Sequence, residues 1–260
     1  MKRNSNGFTL VETLVAIAII ATLAALVFPV MQALRTRGQA IQSTANLRSL
    51  AAANMTYLAE HGMFCPADDQ FNNRRWHGAR SSSEGKFDPA KGFLAPYLGA
   101  SREVGLCPLL KSLVADKQSY EAGTGGYGYN DTYIGGRPGG NYDKLTKLRI
   151  PERLANISDP ARTVMFTTAA YAQPGGVQEY AFCAPPFWDF GSGPSGNRPS
   201  PTVHFRAGGK ALVAWCDGRV TAEAKSERPA GSNPHGGDAD AADLGWFGPD
   251  ENNGYWNPRR

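Results

Sequence analysis

The chain is short of the patterns that announce catalysis or metal binding. Its 260 residues include four cysteines, Cys65, Cys107, Cys183 and Cys216, and no two form a C-x-x-C pair. That argues against a zinc ribbon or a thioredoxin-like redox site. The four histidines, His61, His77, His204 and His235, fall in no recognisable motif. There is no G-x-S-x-G, H-E-x-x-H or P-loop, so no enzyme is expected. Charge of one sign is not concentrated anywhere: 27 Lys and Arg stand against 23 Asp and Glu, a net +4 without a basic block. A nucleic-acid partner is therefore not expected. Glycine and proline, by contrast, are plentiful, 30 and 18, and they gather after residue 60. That part should be built of loops and short strands. The length suits one sizeable domain with an appendage.

The appendage is at the N-terminus. Residues 1–7, MKRNSNG, are polar and carry Lys2 and Arg3. The next 21, FTLVETLVAIAIIATLAALVF, are apolar except for Thr9, Glu12, Thr13 and Thr22. As a helix this run spans about 31 Å, enough for a bilayer core. The basic residues ahead of it keep the short end cytoplasmic and send the rest across. A secretory signal peptide has a shorter apolar region with a small-residue cleavage site. A plain signal anchor accounts for the length but not for Glu12, because a carboxylate at the edge of a bilayer is costly and marks function.

The order Gly7-Phe8-Thr9-Leu10-Val11-Glu12 resembles the type III signal of type IV prepilins and pseudopilins. The resemblance implies cleavage after Gly7 by a prepilin peptidase, methylation of the new N-terminus at Phe8, and a role for Glu12 in assembly. A charged amine at Phe8 and the Glu12 carboxylate are each costly alone in hydrocarbon. Pairing Glu12 of one subunit with the Phe8 amine of a neighbour removes both unpaired charges and fixes register. Pro29 follows the span inside a pattern that resumes as helix, so it should kink the helix rather than end it.

Further along, Leu34, Ile41, Ala45, Leu47, Leu50, Ala51, Met55 and Leu58 recur at spacings near three and four, which predicts an amphipathic helix to about Glu60 with a stop at His61-Gly62. Gly38 weakens it locally. Thr163 to Thr168 reads as a strand after an Asp159-Pro160 turn. ALVAWC-DG-RVTAEA reads as a hairpin turning at Asp217-Gly218, with Trp215 opposite Val220 and Val213 opposite Ala222, covering the helix. GGYGYNDTYIGG is similar to stretches in large pseudopilin-like proteins of the H-X9-DG group. The Asp-Gly pair matches that group, whereas its histidine position holds Ala207, and His204 lies three residues earlier. An aromatic cluster of this kind can bind sugar or simply pack.

The expected fold is α+β: a long N-terminal helix, half transmembrane, on a small antiparallel sheet with long Gly/Pro-rich loops. The expected divisions are a leader at 1–7, a transmembrane and polymerisation segment at 8–29, the second half of the helix at 30–60, and a periplasmic or extracellular head at 61–260. Export permits disulfides, and of three possible pairings Cys65–Cys107 with Cys183–Cys216 is expected. Asp238, Asp240 and Asp243, at near-alternate positions beside glycines, suit calcium. The pseudopilin resemblance also points to a calcium loop there, while a solvated acidic loop is the plain alternative. The implied partners are the prepilin peptidase, other copies or related pseudopilins, and an inner-membrane assembly platform. The expected function is a subunit of a type II secretion pseudopilus or a type IV pilus. The alternative is a membrane-anchored binding module, for example for glycans.

Overall fold

The computed structural model describes residues 9–82, 85–114, 121–228, 233 and 236–259. Its main element is a helix, α1 (Leu10–His61), of 52 residues. At 1.5 Å per residue it is about 78 Å long. It starts where Thr9 caps the first turn and stops where the Gly62 N–H bonds back to the Leu58 carbonyl at 2.8 Å. The helix runs on through Pro29 instead of ending there.

Only the C-terminal half of α1 meets the head. Ser43, Leu47, Leu50, Ala51, Asn54 and Leu58 are buried, and Met55 is half-buried. The expected apolar stripe is therefore correct from Leu47 onward. Leu34, Ile41 and Ala45 are exposed on the far side, and Ile41 keeps 71% of its surface in solvent. Two of the buried positions, Ser43 and Asn54, are polar. The Ser43 hydroxyl lies 3.0 Å from the Cys107 sulfur. Asn54 accepts from the Cys65 N–H at 2.9 Å and donates to the Tyr129 hydroxyl at 3.1 Å, which itself donates to the Cys65 carbonyl at 2.9 Å. Each buried polar group is thus matched, as a low-dielectric interior requires.

The described part of the head contains ten short strands. In chain order they are β1 (Arg74–Arg75), β2 (Gly78–Ala79), β3 (Tyr127–Tyr129), β4 (Val164–Thr168), β5 (Tyr171–Gln173), β6 (Gly176–Gln178), β7 (Val203–His204), β8 (Lys210–Trp215), β9 (Val220–Ala224) and β10 (Leu244–Gly245). The central sheet has the order β3-β4-β8-β9 and is antiparallel throughout. The fold is α+β and pilin-like: one long apolar helix with small antiparallel sheets.

The hairpin forms, with a register different from the expected one. Ala214 pairs with Val220 and Val213 with Thr221. The loop has three residues, Cys216 to Gly218: the Gly218 N–H reaches the Trp215 carbonyl, and the Trp215 N–H reaches the Arg219 carbonyl, both at 2.9 Å. Gly218 sits at φ +85°, the left-handed position such a loop needs. The faces differ too. Leu212, Ala214 and Cys216 belong to the core under α1. Val213 and Trp215 point the other way, into a second core with Phe205, Trp246, Phe247 and Trp256. The sheet is buried on both sides, which is why β8 is continuously apolar instead of alternating.

The aromatic segment around Tyr127 is packing. Tyr127, Tyr129 and Tyr133 are all buried. A side chain on Gly128 would stand 2.6 Å from the Ala169 methyl and from the Phe182 backbone, so only glycine lets β3 approach there. Asn130 bonds the carbonyls of Val164 and Trp256. Three buried indoles then donate to one irregular stretch: Trp76 to the Ala181 carbonyl at 2.8 Å, Trp256 to Cys183 at 2.9 Å and Trp246 to Ala184 at 3.2 Å. The Ala181 carbonyl also accepts from the Tyr129 N–H at 2.9 Å, whereas the indoles are the donors to the Cys183 and Ala184 carbonyls, as an apolar interior requires.

Candidate assembly site on the N-terminal helix

The first turn of α1 is a reciprocal cap. The Thr9 hydroxyl accepts from the Glu12 N–H at 3.2 Å, and Glu12 Oε2 accepts from the Thr9 N–H at 2.8 Å and from its hydroxyl at 2.7 Å. The carboxylate satisfies donors that a helix start leaves open, and it sits at the positive end of the helix dipole. Glu12 itself is exposed. The two residues singled out beside it, Gly7 and Phe8, lie outside the described residues.

Beyond the cap comes a bare apolar shaft. Leu10, Val11, Leu14, Ile17, Ile20, Leu23, Leu26 and Phe28 are each more than half exposed, and nothing in the head covers them. The helix is long and apolar enough here to cross a membrane. At 100° per residue, Ile41 and Leu34 fall within about 40° of Glu12 around the helix, whereas Ser43, Leu50 and Asn54 fall about 200–240° away. Glu12 thus lies nearest the exposed Leu34 and Ile41, while the buried positions spread over an arc from about 140° at Ala53 to about 300° at Ala51. Pro29 takes one N–H out of the shaft, leaving the Ala25 carbonyl without its usual donor.

The other singled-out residues lie in the head. Cys65, Cys107, Cys183 and Cys216 are free and buried, so the expected disulfides are not present. Their surroundings explain it: Cys107 faces the Ser43 hydroxyl on α1, and the Cys65 thiol lies 3.1 Å from the Pro66 carbonyl. Burial pushes the Cys65, Cys183 and Cys216 thiols well up, so they stay neutral. Two of the expected calcium ligands, Asp238 and Asp240, make other bonds. Asp238 Oδ1 accepts from the Asp240 and Ala241 N–H groups at 3.0 Å, closing a turn, and Asp240 pairs with Lys225 at 3.2 Å. Asp243 stands at a left-handed φ of +54°. Among the described residues no three acidic, histidine or cysteine side chains converge on a metal position.

Asp217 belongs to its turn, accepting from the Arg219 N–H at 2.9 Å. His204 is buried, and its Nδ1 accepts from Arg206 Nη1 at 2.7 Å. Burial, then the nearby Arg206 charge, lowers its pKa to about 3, which keeps the ring neutral. His235 lies outside the described residues. What sequence reasoning missed were the polar contacts Ser43, Asn54 and Asn130. Only the asparagine in the Tyr-Gly-Tyr-Asn run carried any signal of them.

Residues 2–28 match the family model described as the prokaryotic N-terminal methylation motif, the prepilin-type signal of type IV pilins and pseudopilins. No curated protein and no solved structure matches the chain. The motif indicates a pilin-like or pseudopilin subunit, a structural component and not an enzyme. It implies processing by a prepilin peptidase and assembly with other pilin subunits. With the apolar helix it fits a protein anchored in the inner membrane.

Proposed function

We propose that the chain is cut after Gly7, methylated at Phe8 and held in the inner membrane by residues 8–29, with its N-terminus cytoplasmic and the head at 61–260 periplasmic. It then joins copies of itself or related pseudopilins, on an inner-membrane platform, in a type II secretion pseudopilus or a type IV pilus. Residues 30–60 carry the head on the shaft. The observation that carries this reading is the exposed apolar shaft with one carboxylate at its start.

In the isolated chain that carboxylate satisfies its own helix start. On assembly, one oxygen keeps the cap while the carboxylate receives the amine of a neighbour's Phe8. Neither charge then remains alone in hydrocarbon. Because the pair forms at only one stagger, it sets the axial register between subunits. Pro29 supplies the place where the helix bends to fit its neighbours.

The test has two parts. The N-terminal peptide should carry a methylated Phe8 in cells with the prepilin peptidase and an intact leader in cells without it. Glu12→Ala should be cleaved and folded normally, with filament yield at background. An intact leader in both strains, or normal assembly of Glu12→Ala, refutes the reading. A membrane-anchored monomer would be indifferent to Glu12.

A further inference from the structure

Trp188 and Phe190 are, with Phe71, the exposed large hydrophobic aromatics of the described head. The remaining four tryptophans are at most 3% exposed, while Trp188 is 43% and Phe190 69% exposed. Their rings lie nearly parallel, 22° apart with centroids at 6.1 Å. Between them, Asp189 is buried and fully engaged. Its Oδ2 accepts from the Tyr133 hydroxyl at 2.9 Å, and its Oδ1 from the Gly191 and Gly193 N–H groups at 2.9 and 3.2 Å. The Trp188 backbone is bonded on both sides, to Asn197 and Ser195. The loop is pinned at its centre, and it holds two apolar faces out in water.

These residues line a cleft of about 240 Å³. Its lining also includes Thr132, Asp131 and Arg149, with Asp131 and Arg149 paired at 3.1 Å, and the exposed Arg137. Such a cleft asks for a ligand with a flat apolar face and a rim of hydroxyls. A polyphosphate chain would meet the Asp131 and Asp189 carboxylates. An apolar peptide would strand the Asp131–Arg149 pair without water.

We propose that this cleft binds a pyranose unit of a polysaccharide, its C–H face stacked on Trp188 and Phe190 and its hydroxyls on Thr132, Asp131 and Arg137. The site is independent of assembly, so it holds whether the subunit serves a pilus or a pseudopilus.

The test is affinity electrophoresis of the full chain in a sugar-free detergent, through gels containing hydroxyethylcellulose, glycol chitin or polygalacturonate. At least one matrix should retard the protein. The W188A/F190A double variant, with a melting temperature close to that of the parent, should lose the retardation. Because Trp188 is the exposed tryptophan, the retarding polymer should also shield the protein's fluorescence from acrylamide. No retardation in any gel, or equal retardation of the variant, overturns the proposal. Shielding of Trp188 only on assembly, without polysaccharide, assigns the loop to a contact between subunits and overturns it as well.

Discussion

At Asn130 one carboxamide joins three stretches of chain. Its Nδ2 donates to the carbonyls of Val164 at 2.9 Å and Trp256 at 3.0 Å, and its Oδ1 accepts from the Tyr133 N–H at 3.2 Å. All of this is fully buried. Removing the amide leaves two carbonyls and one N–H without partners, each costing about 1–3 kcal/mol. Asn130→Ala should therefore destabilise the head by about 3 kcal/mol or more in urea denaturation. Asn130→Asp, which sets a buried carboxylate against the same two carbonyls, should be at least as destabilising at neutral pH. The asparagine was visible in the sequence as part of a Tyr-Gly-Tyr-Asn run, but its role was not. Its partners lie 34 and 126 residues away. For the same reason Ser43 and Asn54 were unreadable: a polar residue in a helix looks solvated until its distant partner is known.

Among the elements, α1 was the most legible. Its apolar run and its stop at His61-Gly62 are local signals, and they sit where the sequence puts them. The hairpin was half legible. Asp-Gly marks a turn, but two-residue and three-residue loops share that signature, and the choice moves every pairing by one. That shift left Val213 and Trp215 on the second core, which no local pattern announces. The apolar positions at Leu34 and Ile41 extend the stripe in sequence but not in space, because the head packs on the other face. They lie on the Glu12 side of the helix, which gives them a separate consequence. Ile41→Lys should leave the stability of the head within about 0.5 kcal/mol of the parent's in urea denaturation, as surface changes do. If that face packs against neighbouring subunits, the same variant should lose filament yield. Normal assembly would remove Ile41 from the contact.

For the molecule as a whole, acid is the condition to watch. His77 and His204 are both buried, and burial lowers both pKa values, to about 3 for His204. The ring of His77 makes no hydrogen bond among the described residues, and the charges of Arg75 and Arg80 also disfavour its protonation. An unfolded histidine takes up a proton near pH 6.5. Between there and about pH 3 the unfolded chain holds protons that the folded chain refuses at His204. Stability should accordingly fall as pH drops below about 6.5. Chemical denaturation from pH 7.5 to 4 checks this. His204→Gln, which can still accept from Arg206, should give a flatter curve. A variant curve as steep as the parent's would remove His204 as a cause.

The indole bonds to residues 181–184 bear on when the head can close. Two of the three donors, Trp246 and Trp256, come from the far end of the chain, and the carbonyls they satisfy sit in the middle. While a nascent polypeptide is threading through a membrane channel, Trp76 is already available to Ala181, but the Cys183 and Ala184 carbonyls have no indole to bond and gain little by leaving water. The half-made chain stays loose and fit for translocation. The last segment to cross is then the one that locks the domain.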